Sequence, residues 1–270
     1  MAALEAAARR RGAALWSPAM TNDAPTAGEH EVGSTRTTEV ETPDGPMPLY
    51  EAEPPGGEAR RAVVVVQEAF GVNGHIEDVT RRFAREGFHA VAPHLFHRTG
   101  GGTVPYDRFD LVAPHFAGLG DETILVDVDA TLAHVAGRGF EAGSVGIVGF
   151  CMGGRVSFLV AANRSLGAAV GFYGGGILKG RSERLRPLAD DVSRLRTPWL
   201  GLFGDEDESI PVDEVEELRR RLAGAQVETE IVRYPGAGHG FHCDQRDSYR
   251  PEAASDAWRR TLDWLGSHLA

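Results

Sequence analysis

Residues 146–154 read Gly-Ile-Val-Gly-Phe-Cys-Met-Gly-Gly. An apolar stretch runs into Gly-x-Cys-x-Gly, and a helix-compatible stretch follows at once. This spacing constrains the fold more than any other feature of the chain. A strand that passes directly into a helix must reverse within a few residues, which strains the backbone at the apex. Gly149 and Gly153 remove the Cβ atoms that would collide across such a turn. Cys151 is then held above the end of a strand and at the N-terminus of a helix, whose dipole favours a thiolate. A small buried cysteine beside a glycine-rich helix start is the plainer alternative. It accounts for a lone cysteine better than for one flanked by glycines on both sides.

A turn of this kind needs a sheet around it, and the rest of the sequence supplies one. Thr37–Glu41 and Met47–Glu51 flank Pro43-Asp44-Gly45, a hairpin signal. The four consecutive valines within 62–67 suit a strand buried on both faces. Strands are then predicted at His89–Ala92, Ser144–Val148, Ala168–Phe172, Trp199–Phe203 and Val227–Tyr234. Helices are predicted at 76–86, 121–138, 152–163, 211–223 and 251–269. Alternating strands and helices predict an α/β fold with a mostly parallel sheet of about 7–8 strands covered on both faces. His94–Gly120 reads as a long irregular connection, a length that in compact domains is often functional. Residues 36–270 are expected to form one domain. Residues 1–35 are expected to be a disordered extension, with Met20 as an alternative start and a marginal helix over Ala2–Leu15.

The formal net charge of −11 argues against nucleic acid or an anionic membrane as the main partner. No apolar run approaches the roughly 20 residues that span a bilayer. Two cysteines, Cys151 and Cys243, are too few for a disulfide framework and suit a reducing cytoplasm. A small-molecule ligand is therefore expected, bound by a monomer or a small homo-oligomer.

Three groups follow successive strands: Cys151, then Asp207 within Gly204-Asp-Glu-Asp-Glu-Ser-Ile-Pro211, then His239 within Gly236-Ala-Gly-His-Gly-Phe241. Nucleophile, acid, histidine is the chain order of α/β-hydrolases. His239 would exchange the thiol proton, and Asp207 would fix its tautomer and stabilise its cation. Asp205 is the rival acid. Glu68 ends the valine strand, where burial without a partner is costly. It reads either as a carboxylate close to Cys151, able to take its proton, or as a group at the start of the next helix. The backbone N–H groups of Ala69 and Met152 are candidates for an oxyanion hole.

Together these residues resemble the dienelactone hydrolase (carboxymethylenebutenolidase) family. The likeness runs through Gln67-Glu-Ala-Phe-Gly-Val-Asn73, Ala92-Pro-His-Leu95, Gly149-Phe-Cys-Met-Gly-Gly154, Gly171-Phe-Tyr-Gly174, Asp207 with Ile210-Pro211, and Ala237-Gly-His-Gly-Phe241. It implies a cysteine hydrolase that opens an enol-lactone through a thioester, with Cys151, Asp207 and His239 as triad, Glu68 as activating carboxylate and Ala69 and Met152 as oxyanion amides. It implies no metal and no organic cofactor. The family pattern is broken where Cys243 replaces an arginine four residues after His239. Arg108 is a candidate for the second substrate-carboxylate arginine, and Arg246 could stand in for the first or lie solvated. Tyr173, Phe241 and Cys243 are candidate substrate contacts, with core packing as the alternative for Tyr173 and Cys243. His94, His97, His115 and His242 match no zinc spacing and are expected in loops and at a pocket rim. A broad-specificity esterase or thioesterase, or a binding protein that kept the scaffold, remain the other functional readings.

Overall fold

Ala62–Val66 (β4) is buried on both faces, as four consecutive valines require. Its parallel neighbours are Val145–Phe150 (β6) on one side and His89–Pro93 (β5) on the other. In this computed structural model residues 32–270 are described, together with the backbone of Ala14–Leu15. Most of the expected disordered extension, 1–35, lies outside the described residues, but Ser34 and Thr35 already belong to the first long strand.

Ser34–Thr42 (β2) and Gly45–Glu53 (β3) form the expected hairpin, tightened to a two-residue Pro43-Asp44 loop with Thr42 opposite Gly45. β3 pairs antiparallel with β5, so the hairpin closes one edge of an otherwise parallel sheet. On the far side of β6 follow Ala168–Phe172 (β7), Trp199–Gly204 (β8) and Thr229–Tyr234 (β9). The pair Ala14–Leu15 (β1), within the stretch expected to be disordered or marginally helical, adds a two-residue parallel strand beyond β9. The order is β1-β9-β8-β7-β6-β4-β5-β3-β2. Eight of these strands have five residues or more, as the sequence predicts.

The helices are Gly74–Arg85 (α1), the short Ala113–Ala117 (α2), Asp121–Gly137 (α3), Met152–Asn163 (α4), Val212–Leu222 (α5) and Pro251–His268 (α6). α4 is buried nearly throughout, since it packs against β6 and β7 and beneath α3. The connection 94–120 is not wholly irregular: it carries two 3-10 turns as well as α2. From β4 the chain moves outward to β5, then returns to place β6 on the opposite side of β4. Such a reversal opens a crevice at the carboxyl ends of the two strands, where ligands bind in open α/β sheets. Glu68 follows β4 and Cys151 follows β6, so both stand at that crevice.

Candidate active site

Cys151 has φ 54° and ψ −112°, in the left-handed half of backbone space that a residue with a Cβ rarely occupies. The turn leaves no room for any other geometry. A Cβ on Gly149 would lie 1.9 Å from Gly153 O, and one on Gly153 would lie 2.3 Å from Val66 O. Both obstacles are backbone, one in the first turn of α4 and the other at the end of β4. Gly153→Ala is therefore expected to lower the unfolding free energy by about 1–3 kcal/mol and to displace the start of α4. A urea midpoint measured beside the wild type checks this.

β6, β8 and β9 are parallel, so the residues after them emerge at one edge. His239 meets both neighbours there. Its Nδ1 is 2.7 Å from Asp207 Oδ2, and it lines the same cavity as Cys151. Asp207 is buried, and its Oδ1 accepts from Ser209 Oγ at 2.6 Å and Ser209 N at 2.9 Å. Burial alone would raise the Asp207 pKa, but His239 and Ser209 outweigh it and hold the carboxyl below its ordinary value. Burial likewise opposes the imidazolium, yet Cys151 and Asp207 together push His239 up to about 10. Asp205, the rival acid, is instead clamped by Arg233 at 2.7 and 2.9 Å.

Ala69 and Met152 both line the cavity beside Cys151. Met152 opens α4, so its N–H has no acceptor within the helix. The Ala69 N–H donates to nothing among the described residues. Glu68 is fully buried and makes no hydrogen bond to Cys151. Its Oε2 accepts from Tyr106 Oη at 3.2 Å, and its Oε1 lies 3.7 Å from Arg246 Nη1 without a hydrogen bond.

The cavity holds about 630 Å³ and is largely apolar, with Phe109, Phe116, Ile124, Val156 and Leu185 in its wall. None of the expected substrate contacts lines it. Arg108 is paired with Asp110 at 2.7 and 2.9 Å, and it is Phe109, itself largely exposed, that borders the cavity in its place. Tyr173 (φ 37°) and Phe241 are wholly buried and pack on each other at 5.4 Å. Tyr173 also lies 5.1 Å from the His239 ring, so it supports the histidine from below. Cys243 is buried and donates to Tyr106 Oη at 3.3 Å. Arg246 is stacked over Phe70 and Tyr106. His94, His97, His115 and His242 also stand away from the cavity, and His242 is not at a rim but in the core between Phe150, Phe172 and Trp258.

The sequence reading missed three residues at this site. Ser209 supports Asp207 through an Asp-x-Ser turn, a signal visible in 207–209. Arg155 lies in the wall, but its guanidinium is taken by Asp121 at 2.6 and 3.1 Å and by Arg186 O at 2.6 Å. Arg181 reaches the cavity from the loop after β7, packed over Gly175 and Gly176, and forms no ion pair among the described residues.

The sequence profile of the dienelactone hydrolase family matches residues 47–269. The chain belongs to the dienelactone hydrolase family. A protein from Methylorubrum extorquens named "Putative carboxymethylenebutenolidase" is 40% identical over 233 residues, covering 84% of this chain and 79% of that protein. A protein of the same name from Yersinia pestis is 42% identical over 227 residues, covering 82% and 84%. A crystal structure from Klebsiella pneumoniae, described as that of a "Putative Dienelactone Hydrolase", superposes with a TM-score of 0.76 at 38% identity, covering 86% of this chain and 99% of that one. Membership makes the protein a carboxylic ester hydrolase of α/β-hydrolase fold. Among the described residues no helix is long and apolar enough to cross a membrane.

Proposed function

We propose that this dienelactone hydrolase family member opens an enol-lactone, or cleaves a related carboxylic ester, through a thioester on Cys151. The observation that carries the reading is the Cys151–His239–Asp207 line at the floor of an apolar cavity. Cys151 Sγ attacks the lactone carbonyl carbon, and His239 holds the thiol proton as imidazolium, paired with Asp207. The carbonyl oxygen takes up negative charge between the N–H groups of Ala69 and Met152. As the carbonyl re-forms, the ring C–O bond breaks and His239 protonates the departing oxygen. Water then adds to the thioester with His239 as base, and the C–S bond breaks to release the acid. Glu68 is a reserve carboxylate in this scheme, able to take the resting thiol's proton once it leaves Tyr106.

The apolar wall favours a second reading, a broad-specificity esterase or thioesterase acting on neutral acyl groups. Arg181 separates the two, being the cation at the cavity with no partner among the described residues and so suited to a substrate carboxylate. We place the protein in a reducing, cytoplasmic compartment because both cysteines are free.

The test is steady-state hydrolysis of cis- and trans-dienelactone beside a short-chain aryl ester, with mass spectrometry of enzyme quenched during turnover. Rapid dienelactone opening with an acyl group on Cys151 is the expected result. Ester turnover without dienelactone turnover moves the substrate to neutral esters. Turnover that leaves Cys151 unmodified under burst conditions overturns the thioester route.

A further inference from the structure

Behind the nucleophile, three side chains from separate segments point their donor atoms at one another. Glu68 comes from the end of β4, His75 from the first turn of α1 and Cys243 from the loop after His239. One ligating atom of each lies within 4.8 Å of the other two, and all three residues are buried. The cluster is unsatisfied in a way that a packed core rarely tolerates. Both ring nitrogens of His75 and Oε1 of Glu68 lack a hydrogen-bond partner among the described residues. The nearest carboxylate to His75, Asp244, is 3.8 Å away, too far for a hydrogen bond. The other buried cluster of this kind, Glu51, Glu53 and His89, differs sharply. Its carboxylates are already held by Arg36 at 2.8 and 3.2 Å and by Arg138 at 2.6 Å.

We propose that Glu68, His75 and Cys243 form a binding site for a divalent transition-metal ion of the zinc class. Thiolate, imidazole and carboxylate are the three donor types zinc takes, at roughly 2.3, 2.0 and 2.1 Å. Tetrahedral bonds of those lengths put donors roughly 3.3–3.7 Å apart, so donors within 4.8 Å of one another need close by no more than about 1.5 Å. Neutral imidazole, thiolate and carboxylate are the forms that ligate. Tyr106 Oη, 3.2 Å from Glu68 and 3.3 Å from Cys243, adjoins two of the donors and is placed to accompany a fourth ligand. With Cys243 as thiolate, the ion, Glu68, Cys243 and Arg246, 3.7 Å from Glu68, carry a net charge of +1. On the hydrolytic reading above, an ion here removes Glu68 from the service of Cys151 and is inhibitory. The site itself does not depend on that reading.

The chain has two cysteines, so the thiolate ligand can be assigned by elimination. Co²⁺ is titrated into the metal-free full-length protein and the sulfur-to-cobalt charge-transfer absorption followed, with Zn²⁺ added afterwards as competitor. The expected result is a band that saturates near one equivalent, is displaced by Zn²⁺, persists in Cys151→Ser and is lost in Cys243→Ser. His75→Gln is expected to weaken Co²⁺ at least tenfold, and it serves alone if Cys243→Ser does not fold. A band absent from the wild type, surviving Cys243→Ser, lost in Cys151→Ser or unweakened by His75→Gln overturns the assignment.

Discussion

Cys151→Ala should lower kcat by at least about 10⁴-fold while leaving the fold intact, because removing a nucleophile that acts as one unit with its base and acid removes the whole unit. The companion variant separates chemistry from stability. At φ 54° a residue with a Cβ stores of order 1–3 kcal/mol, which glycine does not. Cys151→Gly is therefore expected to be as inactive as Cys151→Ala but to melt higher than it, despite the extra backbone entropy glycine loses. Thermal unfolding of the two variants, beside turnover of one ester, checks both halves. Equal melting temperatures would mean that the strain is no larger than the roughly 0.5–1 kcal/mol of backbone entropy glycine loses, and surviving turnover would mean that another group attacks the substrate.

Asp207→Asn should cost on the order of 10³–10⁴ in kcat with little change in KM, since the amide keeps the shape but reverses the hydrogen-bond preference at His239 Nδ1. Its effect on stability should depend on pH in a defined window. The folded pKa of His239 is raised from 6.5 to about 10, so its contribution is fully present below about 6.5 and is lost as pH rises through about 10. The folded pKa of Asp207 is lowered from 3.8, so its contribution is present above about 3.8 and is lost as pH falls through the lower folded value. The melting-temperature gap between wild type and Asp207→Asn should be widest between about pH 4 and 6.5 and should narrow above pH 10. A gap that is flat from pH 5 to 10.5 would show that the two groups are not electrostatically linked.

The meeting of Cys151, Asp207 and His239 was legible because each sits on a turn with a local signature. Gly149 and Gly153 announce Cys151 by steric necessity, and Gly238 and Gly240 frame His239. The family resemblance, which includes Asp207 with Ile210-Pro211, favours Asp207 over Asp205, and the structure gives Asp205 a different task with Arg233. The cavity wall was not legible. Phe109 and Arg108 are adjacent, and only the course of the 3-10 turn decides which of them borders the cavity. No periodicity encodes that choice. Arg181 was hidden for the same reason, since it lies in an irregular loop after three glycines. His75 was missed differently: at the start of an amphipathic helix it reads as part of a buried stripe, and nothing local connects it to a glutamate at a strand end or to a cysteine far along the chain.

The strand order also has a consequence for the growing chain. On the proposed mechanism the nucleophile Cys151 emerges from synthesis well before its acid Asp207, and His239 arrives last, in the loop after β9, with only α6 still to follow. A fragment that ends before β9 can pair β4, β6, β7 and β8 and bury most of their valines, yet it has no base for its thiol. Because the decisive contacts join segments distant in sequence, they form late and together. Hydrolysis is thus a reporter of completed topology: a chain stalled, truncated or misregistered in its last third has a sheet but no turnover.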